Sequence, residues 1–272
     1  MRDSREAFPS VPEAFFLVAL LFAAELVLGA LFRDLKGFSG IDPRDMAGVI
    51  AVLASGLLFS LVLHYKRLTY RSLFHASPNS VAATLGTLAL PILLIVPGLT
   101  LVIGGITDLL TLLFPLSGAQ QAMFELMMSN GVASVVTVCL VAPFLEEMLF
   151  RGIILRSFLQ QYPRRQAMIW SAFLFGLFHL NVYQFAVGWI LGLLLAWLYE
   201  RTRSLWPCIL LHAAYNAHIT YLYWSAGGPE ATEYLDPSPT DWVVAFVLAF
   251  AGFSMLRYLL VWRGTAEDGV AP

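Results

Sequence analysis

Residues 131–154 read GVASVVTVCLVAPFLEEMLFRGII. Fifteen residues pass before the first charge, and Glu146, Glu147 and Arg151 then fall inside a run that is otherwise still apolar. At ~1.5 Å per residue the 24-residue stretch is long enough to cross the ~30 Å hydrocarbon core of a bilayer. An ionised side chain near the centre of such a span costs ~2.5–3.5 kcal/mol on insertion scales, so each charge here needs a partner or a purpose. The stretch reads both as a membrane helix and as a candidate site.

The rest of the chain agrees with a membrane reading. Of 272 residues, 59% are hydrophobic and 12% charged, with a mean hydropathy of +0.75; a soluble domain carries about 25% charged residues. This composition excludes a disordered or collagen-like chain and argues against a cytosolic enzyme. The net charge of −2 and pI of about 6.2 exclude a nucleic-acid partner. Apolar runs at about 14–32, 46–65, 81–103, 131–154, 167–180, 182–199, 205–224 and 241–262 predict an all-α polytopic membrane protein. About eight transmembrane helices are expected, in a single membrane domain over residues 1–272.

The stretch 81–114 is too long for one crossing and barely long enough for two, and Pro91 and Pro97 within it predict a kink. Charge decides for one. Loops on one side then carry Arg2, Arg5, Lys66, Arg67, Arg71, Arg156, Arg164, Arg165, Arg201, Arg203 and Arg263, against Arg33, Lys36 and Arg44 on the other. Basic residues stay cytoplasmic, so both termini are expected inside, with the protein in the cell's inner or plasma membrane. Residues 104–130 are then expected along the outer interface. The first apolar run follows Arg2 and Arg5 as in a signal peptide, but it has the length of a span and contains Glu25, so it reads as an uncleaved helix. Gly227, Gly228 and Pro229, followed by acids, Pro237 and Pro239, mark an external loop. Gly188 and Gly192 read as a small-residue packing pair. Cys139 and Cys208 lie in apolar runs outside any CxxC pair and read as core packing.

Three polar clusters lie in the C-terminal half. On a helix Glu147 and Arg151 are four apart and share a face, so they can pair. Glu146 is turned about 100° away, and its own i+4 residue is Phe150, which leaves that carboxylate free. A purely structural ion-pair network would explain Glu147 and leave Glu146 unexplained. The second cluster is His179, at the end of Phe173-Leu174-Phe175-Gly176-Leu177-Phe178; alone it would pass for a packing residue. In the third, His212 and Asn216 share a helical face beside Ala213 and Ala214. Each cluster is weak alone; together they supply an acid, two imidazoles and an amide from three apolar segments. His64 and His75 flank the basic loop after the second span and read as interfacial. His218 is six residues beyond His212 and points elsewhere on that helix. Glu25 and Asp108 lack motif partners, with Asp108 near the outer surface, and Arg201 and Arg203 read as cytoplasmic anchors.

Glu146-Glu147-x-x-x-Arg151, Phe175-x-x-x-His179 and His212-x-x-x-Asn216, in that order, resemble the three motifs of the CAAX protease and bacteriocin-processing family, also called Abi. The Thr202-Arg203-Ser204-Leu205-Trp206-Pro207 lead-in is similar too, and the resemblance covers about residues 131–224, the expected catalytic core. It implies an eight-helix intramembrane endopeptidase of the glutamic type. Water activation falls to Glu146 with His179, oxyanion stabilisation to His212 and Asn216, and support of the site to Glu147 and Arg151. Members of the family cut prenylated CAAX proteins or bacterial peptides, leaders and sorting tails, so a membrane-associated protein or peptide is the implied substrate.

Such chemistry suits the residues: a free carboxylate can take a proton from water and return it to the leaving amine, and paired donors can hold an oxyanion. No cofactor is required. Zinc held by Glu146, His179 and His212 is the alternative, since two histidines and a glutamate form known catalytic zinc sites; the lack of an HExxH helix and the presence of an Asn speak against it. Two other functions use the same residues: a non-proteolytic regulator or bacteriocin-immunity protein, and a proton-coupled transporter. The transporter would call for inverted repeats, and the sequence shows no internal repeat.

Overall fold

The computed structural model describes residues 7–39, 46–127, 132–227 and 237–262, and these are organised as helices joined by short turns. In chain order they are α1 (Val11–Ser39), α2 (Ala47–Lys66), the short α3 (Tyr70–Phe74), α4 (Val81–Leu113) and α5 (Gly118–Met127). Then come α6 (Val132–Gln161), α7 (Arg164–Leu177), α8 (Val182–Thr202) and α9 (Leu205–Ser225). The last, α10 (Pro239–Arg257), runs on as a π-helical turn to Trp262.

Six of these, α1, α2, α4, α6, α8 and α10, are long and apolar enough to cross a membrane. The chain is an integral membrane protein. The other two long rods differ for a physical reason. Helix α7 has 14 residues, about 21 Å at ~1.5 Å each. Helix α9 has 21 residues, but His212, Asn216, His218, Tyr215, Tyr221 and Tyr223 dilute its hydropathy. The rods that carry polar side chains are the ones a hydropathy criterion passes over, and both bury a large part of their surface in the bundle.

Helix α4 runs unbroken from Val81 to Leu113 through Pro91 and Pro97. This supports one helix there and corrects the expected end at 103. The apolar run is interrupted by Gly104, Gly105 and Asp108, but the helix continues through them with Leu109, Leu112 and Leu113 exposed. What lies outside α4 is the short α5, whose Phe124 meets Tyr183 edge-on. Helix α6 likewise extends past the expected 154, to Gln161.

One end of the bundle gathers the basic loops. Lys66 Nζ donates to the Phe8 carbonyl, Gln161 Nε2 to Pro9 O at 2.9 Å, and Arg156 Nη1 to Ser72 O at 2.6 Å. The Ala76 amide donates to Arg203 O at 2.9 Å, and His75 Nδ1 lies 2.9 Å from Ser204 Oγ. Arg2, Arg5, Arg44 and Arg263 of the charge count, and the acids Glu230, Glu233 and Asp236, lie outside the described residues.

Small residues let α4 and α10 touch backbone to backbone. A Cβ on Gly98 would stand 2.5 Å from Ala249 Cβ, and one on Gly252 would stand 2.5 Å from Pro91 O. Likewise Gly188 packs on Gly176, and Gly192 on Ala172, along α7 and α8. Overpacking such a contact costs about 1–3 kcal/mol. Gly252→Val should therefore lower the thermal unfolding midpoint in detergent, whereas Gly29→Ala, where an added Cβ meets nothing within 4 Å, should leave it unchanged or slightly raised.

Candidate active site

The site grows from α6. Two π-helical segments interrupt it, Thr137–Val141 and Met148–Leu155, and Glu146 and Glu147 stand at the junction before the second. A π segment loosens the regular hydrogen-bond ladder and turns side chains out of their α-helical register; such insertions concentrate at functional sites. Backbone groups in both segments receive side chains from neighbouring helices. Asn216 Nδ2 of α9 donates to Val138 O at 2.8 Å, and the buried Ser171 Oγ of α7 donates to Phe150 O at 3.1 Å. These bonds fix α6 against its neighbours at the level of the acids.

Arg151 and Glu147 are both completely buried, with Nη1 and Oε1 2.9 Å apart. Arg151 Nη2 also donates to Gly192 O at 3.2 Å, and its guanidinium carbon stands 4.3 Å from the centre of the Phe175 ring. The same Glu147 Oε1 lies 2.9 Å from His212 Nδ1. A carboxylate paired to a guanidinium accepts, so Nδ1–H donates and His212 directs Nε2 away from Glu147. Nε2 faces Glu146 Oε2 at 3.8 Å. Glu146 differs from its neighbour: its side chain keeps 16% of its surface exposed, and its Oε2 has no hydrogen-bond partner. Glu147 Oε2 is likewise buried without a partner, so the two acids differ in exposure and in neighbours: Glu147 is sealed against Arg151, and Glu146 keeps part of its side chain exposed beside His212.

His179 departs from the expected placement inside a helix. Helix α7 ends at Leu177, and His179 sits in the turn that follows, before Leu180 at φ 57°. Its Nδ1 lies 3.0 Å from Phe175 O, where a carbonyl can only accept, so Nδ1–H satisfies a terminal carbonyl of the helix and Nε2 is left free. Phe175 joins the two imidazoles: its ring meets His179 and His212 edge-on, with centroids 5.5 and 5.6 Å away. Thus the structure links Glu146, Glu147, Arg151 and His212 directly, sets His179 across Phe175 from His212, and holds Asn216 one turn beyond His212 with one amide hydrogen engaged.

Among the described residues, no group of three or more His, Cys, Asp or Glu side chains is arranged to hold a metal ion. The alternative zinc set of Glu146, His179 and His212 finds no support in this geometry. His218 lies elsewhere on α9, 3.0 Å from Thr100 Oγ1 on α4, and Asp108 is exposed. Cys139 and Cys208 are buried free thiols. An open cavity of about 570 Å³ lined by Leu63, His64, Tyr65, Arg67 and Leu68 lies at the basic end of α2 and includes none of the site residues.

Residues 128–218 match the family described as Type II CAAX prenyl endopeptidase Rce1-like. Over these residues the chain is similar to the CAAX protease family. The Rce1-like segment takes in α6, α7, α8 and most of α9, and with them all six side chains from Glu146 to Asn216 discussed above. No curated protein and no solved structure is significantly similar to the chain.

The buried pair has a measurable signature. Removing one partner of a buried ion pair costs about 3–5 kcal/mol, whereas replacing both with apolar groups of similar volume is often neutral. Arg151→Met alone should strongly destabilise the protein in detergent, and adding Glu147→Leu should recover most of the loss, read by thermal unfolding of the two variants side by side.

Proposed function

We propose that the protein is a glutamic intramembrane endopeptidase that cuts a membrane-associated protein or peptide. In this reading all eight long rods cross the bilayer, with both termini and the basic loops in the cytoplasm. The observation that carries the reading is the contrast between two adjacent acids. Each keeps one oxygen without a partner, but Glu147 is wholly buried with Oε1 engaged by Arg151 and His212, while Glu146 is partly exposed and meets only the second imidazole nitrogen of His212.

The chemistry follows from those positions. Glu146 takes a proton from a water whose oxygen attacks the scissile carbonyl carbon, and later returns it to the leaving nitrogen. His179, with Nδ1–H held by Phe175 O, offers Nε2 as an acceptor that orients the same water. The developing oxyanion is met by the second amide hydrogen of Asn216 and, when His212 is protonated, by Nε2–H. Fixed donors of this kind are worth about 10²–10³ in rate each. Glu147 and Arg151 take no part in proton transfer; they set the tautomer and direction of His212, as the carboxylate does for the histidine in other hydrolytic sites. The reaction as written uses no metal.

Glu146→Gln keeps the size of the side chain and removes the base, so turnover should fall by at least about 10²–10⁴ in a protein whose unfolding midpoint is unchanged. The check is mass-spectrometric comparison of membrane-protein termini in wild-type and variant cells; persistence of the same new termini would remove Glu146 as the base. Purified protein treated exhaustively with chelators should retain its cleavage rate, and a loss restored by zinc would replace this mechanism with the metal one.

A further inference from the structure

Glu25 stands outside every motif, yet it lies on the bundle side of α1 at about the depth of the same acids. Helix α1 buries Ala14, Leu17, Val18 and Leu21 on one stripe, and Leu28 packs on the same core. Glu25 falls between Leu21 and Leu28 at helical spacing, on the bundle-facing side. Its neighbour Phe22 stacks on Phe178, next to His179, with ring centroids 5.0 Å apart.

Depth agrees as well. The Val11 amide donates to Tyr162 Oη at 3.3 Å, so the start of α1 is level with the end of α6. Glu25 lies 14 residues along α1 from that point, about 21 Å, and Glu146 lies 16 residues back along α6, about 24 Å. Counted from that common level, the two carboxylates differ by only about 3 Å in depth. Among the described residues no hydrogen bond or ion pair engages Glu25, and the guanidinium of Arg151 is already committed to Glu147 and Gly192 O. What such a pair of acids attracts, in a medium of low dielectric, is a cation.

Hydrolysis on Glu146 generates one there. Water oxygen bonds to the acyl carbon, the C–N bond breaks, and the proton held by Glu146 passes to the leaving nitrogen. The new carboxylic acid then gives its proton to that amine, leaving a carboxylate and an α-ammonium beside Glu146. We propose that Glu25 receives this nascent α-ammonium of the leaving peptide and draws it off Glu146, freeing the base for the next water. The proposal rests on the peptidase reading and adds a product-binding residue to it.

The test uses the intact protein and two product-like probes, a short peptide with a free α-amino group and the same peptide N-acetylated. For wild type, the free amine should inhibit cleavage about tenfold more strongly than the acetylated form. In Glu25→Gln that preference should vanish, through weaker inhibition by the free amine alone, and Glu25→Asp should keep part of it. Equal inhibition by the two probes in wild type overturns the proposal whatever the variants do, as does a preference that survives Glu25→Gln. A wild-type protein that cleaves nothing would instead overturn the peptidase reading.

Discussion

A guanidinium sealed inside a membrane-embedded bundle has to be neutralised, and Arg151 meets that requirement through Glu147 with neither side chain exposed. Much of the site's form follows from this one pairing. It engages Glu147 inside the bundle, while the next carboxylate keeps part of its surface exposed. It gives His212 a fixed acceptor at Nδ1 and thereby points Nε2 at Glu146. It also draws α8 in through the Gly192 carbonyl, on a helix face kept small enough for close approach. Phe175, stacked under the guanidinium, passes the constraint on to both imidazoles.

Part of this was legible beforehand because helical spacing is a physical rule. Four residues separate Glu147 from Arg151, and a one-residue offset turns Glu146 elsewhere; both follow from 3.6 residues per turn. The apolar runs likewise locate the long rods, although α1, α4 and α6 run on by seven, ten and seven residues past their expected ends. The contact between His212 and Glu147 joins residues 65 apart, and no spacing within either segment announces it; only the resemblance to a family hinted that they meet. His179 illustrates a further limit. Leu174 to Leu180 is apolar enough to read as helix throughout, and the turn at Phe178 and His179 is set by the tertiary position of α8.

The π segments of α6 were invisible in the sequence, since their residues are ordinary apolar ones. They exist because neighbouring helices supply substitute partners, Asn216 for Val138 O and Ser171 for Phe150 O, and those partners are known only once the bundle is assembled. Glu25 has no motif partner in the sequence, and its proposed role comes from its position on α1. The signal that finds it is its place on the stripe of Ala14, Leu17, Leu21 and Leu28, where an apolar residue is expected and a carboxylate appears.

The division of labour between a wet acid and a dry neighbourhood is most directly tested by thiol accessibility in membranes. With Cys139 and Cys208 replaced by alanine, a cysteine at position 146 should react with a small water-soluble methanethiosulfonate, whereas one at Phe150, which is 0% exposed, should not. A residue-146 thiol as unreactive as that at 150, in a protein that remains folded, would contradict the account, because the base it assigns would then have no water to activate.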